Sequence, residues 1–245
     1  MTTTFTPERK LRINLAAAYR ILADLQMDDL TYTHLSARLP GADAYFIYPF
    51  GLLFEEVTAS SLLKVSLEGE ILEGIESQYN ATGYVIHGNI YKKRPDINAI
   101  FHLHTIAGVA ISSLECGLLP LSQFSFHFYN RLAYHTYDSL TLENDRQGEN
   151  LVKDLGNNKA LILRNHGTLT CGETIQEAFL YMYFLEKACQ VQCAALNCGQ
   201  KVIVPHPEIC EKAAQDVRAF EPAFGNRDWT ALLRKLDRKD PGYKD

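Results

Sequence analysis

A chain of 245 residues is long enough to bury one full hydrophobic core. Its 47% hydrophobic and 22% charged residues fit a folded protein, and a net charge of -5 lacks the basic excess that a nucleic-acid surface needs. No run of about 18 apolar residues suggests a membrane span, and "MTTTFTPERKLRIN" lacks the apolar core of a secretory signal, so a cytoplasmic protein is expected.

The first element is a helix over 7–28, entered at Pro7, with Leu11, Leu15, Tyr19, Leu22 and Leu25 as its apolar stripe. "AYFIYPFG", 44–51, reads as a strand running into a turn at Pro49 and Gly51. "TASSLLKVSLEGEIL" reads as a short helix and then a hairpin through Glu68-Gly69. A second helix spans 80–93 and stops before "RPD", where proline discourages continuation. A strand over 99–105 leads into a small-residue helix to 113. "KALILRNHGTLTCG", 159–172, is an apolar strand that breaks at His166-Gly167. The longest helix, 174–197, starts with Thr174 and Glu177 in capping-box spacing. Residues 1–225 are expected to form one domain. The charged tail, 226–245, is expected to pack on that body or on a neighbouring subunit. This mixture of strands and helices predicts an α/β layered domain.

None of the six cysteines forms a C-x-x-C pair, and a chain of this size needs no disulfide staples. Cys189 and Cys193, one helical turn apart, could suggest a ligand pair but read more simply as small buried side chains.

Chemistry concentrates in "AIFHLHT", 99–105. With a period of two, His102 and His104 share one face of the strand. Two such imidazoles can grip a metal ion or merely occupy the polar end of a strand. His166 adds a third ring where a strand ends at glycine. Three neutral imidazoles suit Zn²⁺ and leave one position for water or substrate, while Fe²⁺, Mn²⁺ and Co²⁺ also fit. On spacing alone both readings stay open.

The stretches "LTYTHLSARLPG", "YPFGLLFEEVTASSLLKV", "NATGYVIHGNIYKKRPDINAIFHLHT", "GLLPLS" and "LILRNHGTLTCGETIQEAF" together resemble the class II aldolase/adducin family over roughly residues 10–200. The resemblance implies a three-layered α/β/α fold around a mostly antiparallel sheet, and a metal held by His102, His104 and His166. It also implies a small-molecule substrate and a homo-oligomer, tetramer or dimer. Two departures accompany it. The acid/base glutamate of the sugar-phosphate aldolases falls on Gly83, four residues before His87, and glycine can neither bind metal nor move a proton. Gly83→Glu is therefore expected to tighten metal retention. An asparagine of the phosphate pocket falls on His34, and a hydroxyl residue on Phe50, next to Gly51. The chain therefore looks like the adducin-like branch rather than a standard sugar-phosphate aldolase.

The expected function is a metal-dependent lyase, with zinc the first candidate metal and iron or manganese the alternatives, acting on a small hydroxy-carbonyl compound. Gly51 and His34 are candidates for substrate contact, and His87 for a catalytic or metal-directed role. His34 otherwise reads as a turn residue, and His87 as a locally packed helix histidine. His127 and His135, in an aromatic stretch, read as structural rather than chemical, and the Glu55-Glu56 pair as solvated surface rather than a replacement for the missing carboxylate. Two rivals remain: a non-catalytic adducin-like interaction module, and a three-histidine Fe²⁺ oxygenase.

Overall fold

The computed structural model describes residues 5–74, 78, 80–220 and 223–245. Helix α1, Pro7–Asp24, begins where the Thr6 side chain accepts the Arg9 amide and ends just before Gln26 takes a positive φ of 55°. Its buried Tyr19 donates its hydroxyl to the Leu35 carbonyl and accepts the Leu35 amide at 2.9 Å, which ties the helix to the first strand.

Eight strands form one open sheet: β1 His34–Ala37, β2 Ala44–Ile47, β3 Leu63–Ser66, β4 Ile71–Glu73, β5 Ala99–Leu103, β6 Leu132–His135, β7 Ala160–Leu163 and β8 Gly167–Gly172. Their order is β4-β3-β2-β1-β5-β8-β7-β6, and every pairing is antiparallel except β6 with β7. The helices are α1, α2 Ala81–Lys93, α3 Ile106–Ser112, α4 Gln123–Phe126, α5 Glu149–Leu155, α6 Ile175–Asn197, α7 Pro207–Phe220 and α8 Asn226–Lys239.

Register decides which residues face which layer. Leu35, Phe101 and Thr170 lie opposite one another across β1, β5 and β8. That face meets α1 through Tyr19 and α6 through Phe179, whose ring lies 6.5 Å from that of Phe101. Thr170 also donates to the Ala178 carbonyl at 2.9 Å. The alternate residues Ser36, Ile100 and Cys171 face the other way, towards α2, where Ser36 meets Tyr91 at 2.8 Å. Helix α5 flanks α2 on this side, and Asp154 pairs with His135 of β6 at 2.7 Å. The expected α/β/α layering with a mostly antiparallel sheet is thus the observed one.

Several local expectations change. His34 lies in β1, in register with His102, not in a turn. Residues 159–172 form two strands, with His166 in the turn between them. The segment before the β3–β4 hairpin is a turn rather than a helix. The last segment folds back on the body. Trp229 of α8 donates to Asn14 of α1 at 2.8 Å and stacks edge-on against Phe179, while the buried Tyr243 carbonyl accepts the Ala59 amide. No helix among the described residues is long and apolar enough to cross a membrane.

Candidate metal centre

His102 is the fourth residue of β5, and His104 stands just past its end, before Thr105 caps α3 by accepting the Gly108 amide. The cap fixes where the strand stops, so the period of two carries over to His104. His166 closes the tight turn joining β7 to β8, after Asn165 at a positive φ of 54°. Gly167 follows because a Cβ there would lie 2.4 Å from the Leu103 carbonyl oxygen, so only glycine allows the hairpin to approach β5 this closely. The turn thereby delivers His166 to the end of β5.

The three rings converge. Each pair among His102, His104 and His166 has centroids 4.8 Å apart. One nitrogen from each ring lies within 4.8 Å of the other two, the only such metal-capable group among the described residues. His102 is buried, and His104 and His166 are partly so.

Hydrogen bonds fix which nitrogens are free. His102 Nδ1 sits 3.0 Å from the Thr168 carbonyl oxygen, which can only accept, so Nδ1 carries the proton and Nε2 presents a lone pair. His104 Nδ1 sits 3.0 Å from the Asp29 carboxylate, which imposes the same tautomer. The two Nε2 atoms then face each other at 3.0 Å. Two lone pairs at that distance repel unless a cation lies between or beside them. A carbonyl or carboxylate on the far nitrogen of each ring is also the arrangement that orients histidine metal ligands. The donor set therefore fits a divalent metal with a preference for nitrogen.

His34 and His87 stand beside this trio rather than in it. The His34 ring is 5.1 Å from that of His102, and its Nδ1 meets His87 Nε2 at 2.9 Å. His87 Nδ1 bonds in turn to Ser36 Oγ, which meets the Tyr91 hydroxyl at 2.8 Å. The Arg38 guanidinium lies over the Tyr91 ring, 4.6 Å from its centroid. All of these polar side chains are buried, so the row forms a satisfied network under the trio. Both ring nitrogens of the buried His87 are thus engaged, Nε2 with His34 and Nδ1 with Ser36. It holds His34.

Burial dominates the electrostatics. It pushes His34 down to about 3, helped by the nearby His104 and His166, and His166 down to about 4. His102 and His87 lie well below the usual histidine range for the same reason. These four rings are therefore neutral at pH 7, and neutral imidazole is the form that binds metal.

Gly83 faces His34. A Cβ at Gly83 would lie 3.4–3.5 Å from three atoms of the His34 ring. The imidazole therefore occupies the space that a longer side chain at position 83 would enter. A Cβ alone fits there in ordinary contact, so the effect of Gly83→Glu on metal retention turns on how its longer side chain shares this space with the His34 ring. Gly51, at a φ of 105°, lies in the turn after β2 beside Phe50, whose ring meets that of Tyr32 at 6.4 Å.

The remaining candidates lie in structural roles. Glu56 caps the turn at Leu53, accepting its amide at 2.7 Å, and His127 stacks on Phe184 with centroids 4.5 Å apart. His135 pairs with Asp154, and all six cysteines are free thiols. Sequence reasoning missed Asp29, Ser36, Tyr91 and Thr168. Asp29 and Thr168 act through contacts 75 and 66 residues away in the chain, and no local spacing could report those.

An open, mostly antiparallel α/β sheet with a three-histidine cluster at the end of its central strands defines an aldolase-type class of protein. Residues 13–193 match the family model described as Class II Aldolase and Adducin N-terminal domain. The chain belongs to the class II aldolase/adducin family. It is similar to a crystal structure of an aldolase II superfamily protein from Pseudomonas syringae, at 41% identity and a TM-score of 0.92, covering 99% of this chain and 98% of that one. It is also similar to an L-fuculose 1-phosphate aldolase from Glaciozyma antarctica, at 30% identity and a TM-score of 0.84, covering 100% and 97%. Rat alpha-adducin is 42% identical over 194 residues, which are 77% of this chain but 26% of the adducin.

Proposed function

We propose that this protein is a metal-dependent, aldolase-like lyase acting on a small hydroxy-carbonyl compound other than a standard sugar phosphate. The observation that carries the reading is the pair of His102 and His104 Nε2 lone pairs meeting at 3.0 Å with His166 alongside. Zinc suits three neutral imidazoles, with iron or manganese as alternatives. His102, His104 and His166 would hold such an ion, which would supply Lewis acidity to a carbonyl oxygen.

The chain's own residues divide the remaining work. Thr168 and Asp29 hold the His102 and His104 rings in their ligating tautomers. His87, anchored by Ser36 and Tyr91, keeps the His34 ring beside the trio. Tyr137, 6.3 Å from the His166 ring, walls the outer side. On this reading a homo-oligomer is the working form.

The test is metal analysis of the purified chain with a substrate screen of hydroxy-ketones and hydroxy-acids, using His104→Ala as the control. Stoichiometric metal and turnover lost in the variant support the lyase. The likeness to alpha-adducin favours a second reading, a non-catalytic interaction module. No turnover with any compound, and only lost stability in the variant, would establish that module instead. Iron accompanied by oxygen uptake would establish an oxygenase.

A further inference from the structure

The metal-centre reading leaves a charge to be balanced. Four imidazoles, those of His34, His102, His104 and His166, lie in ring contact at this site. Metal ligation requires His102, His104 and His166 in their neutral form, so none of the three offsets a cation's charge. Among the described residues, the one carboxylate hydrogen-bonded to these rings is Asp29, which is 41% exposed and so well screened by water. The first turn of α2, which carries Gly83 against the His34 ring, contains no acidic residue. A helix N-terminus adds partial positive charge of its own.

A divalent cation in such a cage keeps most of its charge in a poorly solvated setting. Charge buried that way is stable only when paired. Among the described residues no buried carboxylate hydrogen-bonds to these rings, so a negatively charged ligand would complete the pairing.

We infer that this site takes a small carboxylate ligand, an α-hydroxy or α-keto acid, in preference to an uncharged hydroxy-ketone. The inference rests on the metal-dependent reading above and narrows its substrate class. Such an acid presents two oxygen atoms on adjacent carbons to the open side of the trio, one of them charged. Position 83 sets the preference: a side chain there would enter the space beside His34, and an acidic one would supply the missing negative charge itself.

The test uses the zinc-loaded full chain and isothermal titration with oxalate, glycolate, dihydroxyacetone and inorganic phosphate. Oxalate should bind at least tenfold more tightly than dihydroxyacetone, with glycolate between them. In Gly83→Glu, oxalate should bind at least tenfold more weakly than in Gly83→Gln, which has the same bulk without the charge. Oxalate no tighter than dihydroxyacetone overturns the inference, as does phosphate binding tightest of the four. Equal oxalate affinity in the two variants, at equal zinc content, overturns the role of position 83. The ratio measured on the unaltered chain needs no variant to fold. A chain that takes up no zinc overturns the functional reading and the inference together, whereas zinc uptake without an oxalate preference overturns the inference alone.

Discussion

Asp29 offers a direct way to test how the centre is organised, because it touches the trio from behind without being one of its rings. Its carboxylate sits 3.0 Å from His104 Nδ1, and the cation would lie on the opposite edge of that ring. Across an imidazole this separation is about 6–7 Å, and with an effective dielectric of about 40 for a part-exposed pair the attraction is about 1.3 kcal/mol, or about tenfold in affinity. Asp29→Asn keeps an acceptor for Nδ1–H and removes the charge, so zinc affinity should fall by about tenfold. Asp29→Ala also frees the ring to rotate and should reach the upper part of the 10- to 100-fold range seen when such partners are lost, about 100-fold. Competition of each variant against a fluorescent chelator at pH 7 measures this. Unchanged affinity in both variants would refute the assignment of His104 Nε2 as a ligand.

Other expectations follow from the same geometry. His102→Ala, His104→Ala and His166→Ala should each lower zinc content sharply while leaving far-UV circular dichroism unchanged, and stoichiometric metal retained by all three would contradict the trio. Ser36→Ala leaves the buried His87 and Tyr91 without their shared partner and should lower stability by about 1–3 kcal/mol in chemical denaturation. The metal-free protein should be acid-sensitive. His34, His127 and His166 have folded values pushed down to between about 3 and 4, against 6.5 when unfolded. Each is neutral in the fold but takes up a proton on unfolding, so its contribution is complete above about pH 6.5 and falls as the pH drops towards 4. At pH 5 the loss is up to about 2 kcal/mol per histidine, and urea midpoints that do not move between pH 7 and pH 5 would exclude it. Finally, Trp229 is the only tryptophan in the sequence and docks α8 on α1 and α6. Its fluorescence and the far-UV signal should unfold together, and an earlier fluorescence transition would mean that the tail is not part of the cooperative unit.

Much of the architecture is legible in the sequence because it is written in local patterns. The starts of α1, α2 and α6 follow from Pro7, Asn80 and Thr174, whose side chain accepts the Glu177 amide, whereas α1 stops at Asp24 rather than at 28. The H-x-H alternation of β5 puts two imidazoles on one face through the period of two alone. His166 is marked by the glycine that must follow it.

What escapes a sequence reading is non-local. β1 is four residues long and carries His34 and Ser36 on its inward face, so it lacks an apolar signature even though all four residues are buried. Its neighbours in the sheet decide it. The partnership of Gly83 with His34 links positions 49 residues apart in the sequence, and each looks like a loss when read alone. Together they are complementary, because the ring fills the room the glycine leaves. The row from His34 through His87 and Ser36 to Tyr91 likewise joins a strand to a helix, and only the fold brings the two together.

X-ray absorption at the metal edge of the zinc-loaded chain addresses the central claim most directly. Scattering should come from three imidazole rings with the remaining ligands light atoms, and the zinc still bound by His166→Ala at excess metal should lack one ring's contribution. Sulfur in the first shell, or a spectrum that is the same in that variant, would contradict it.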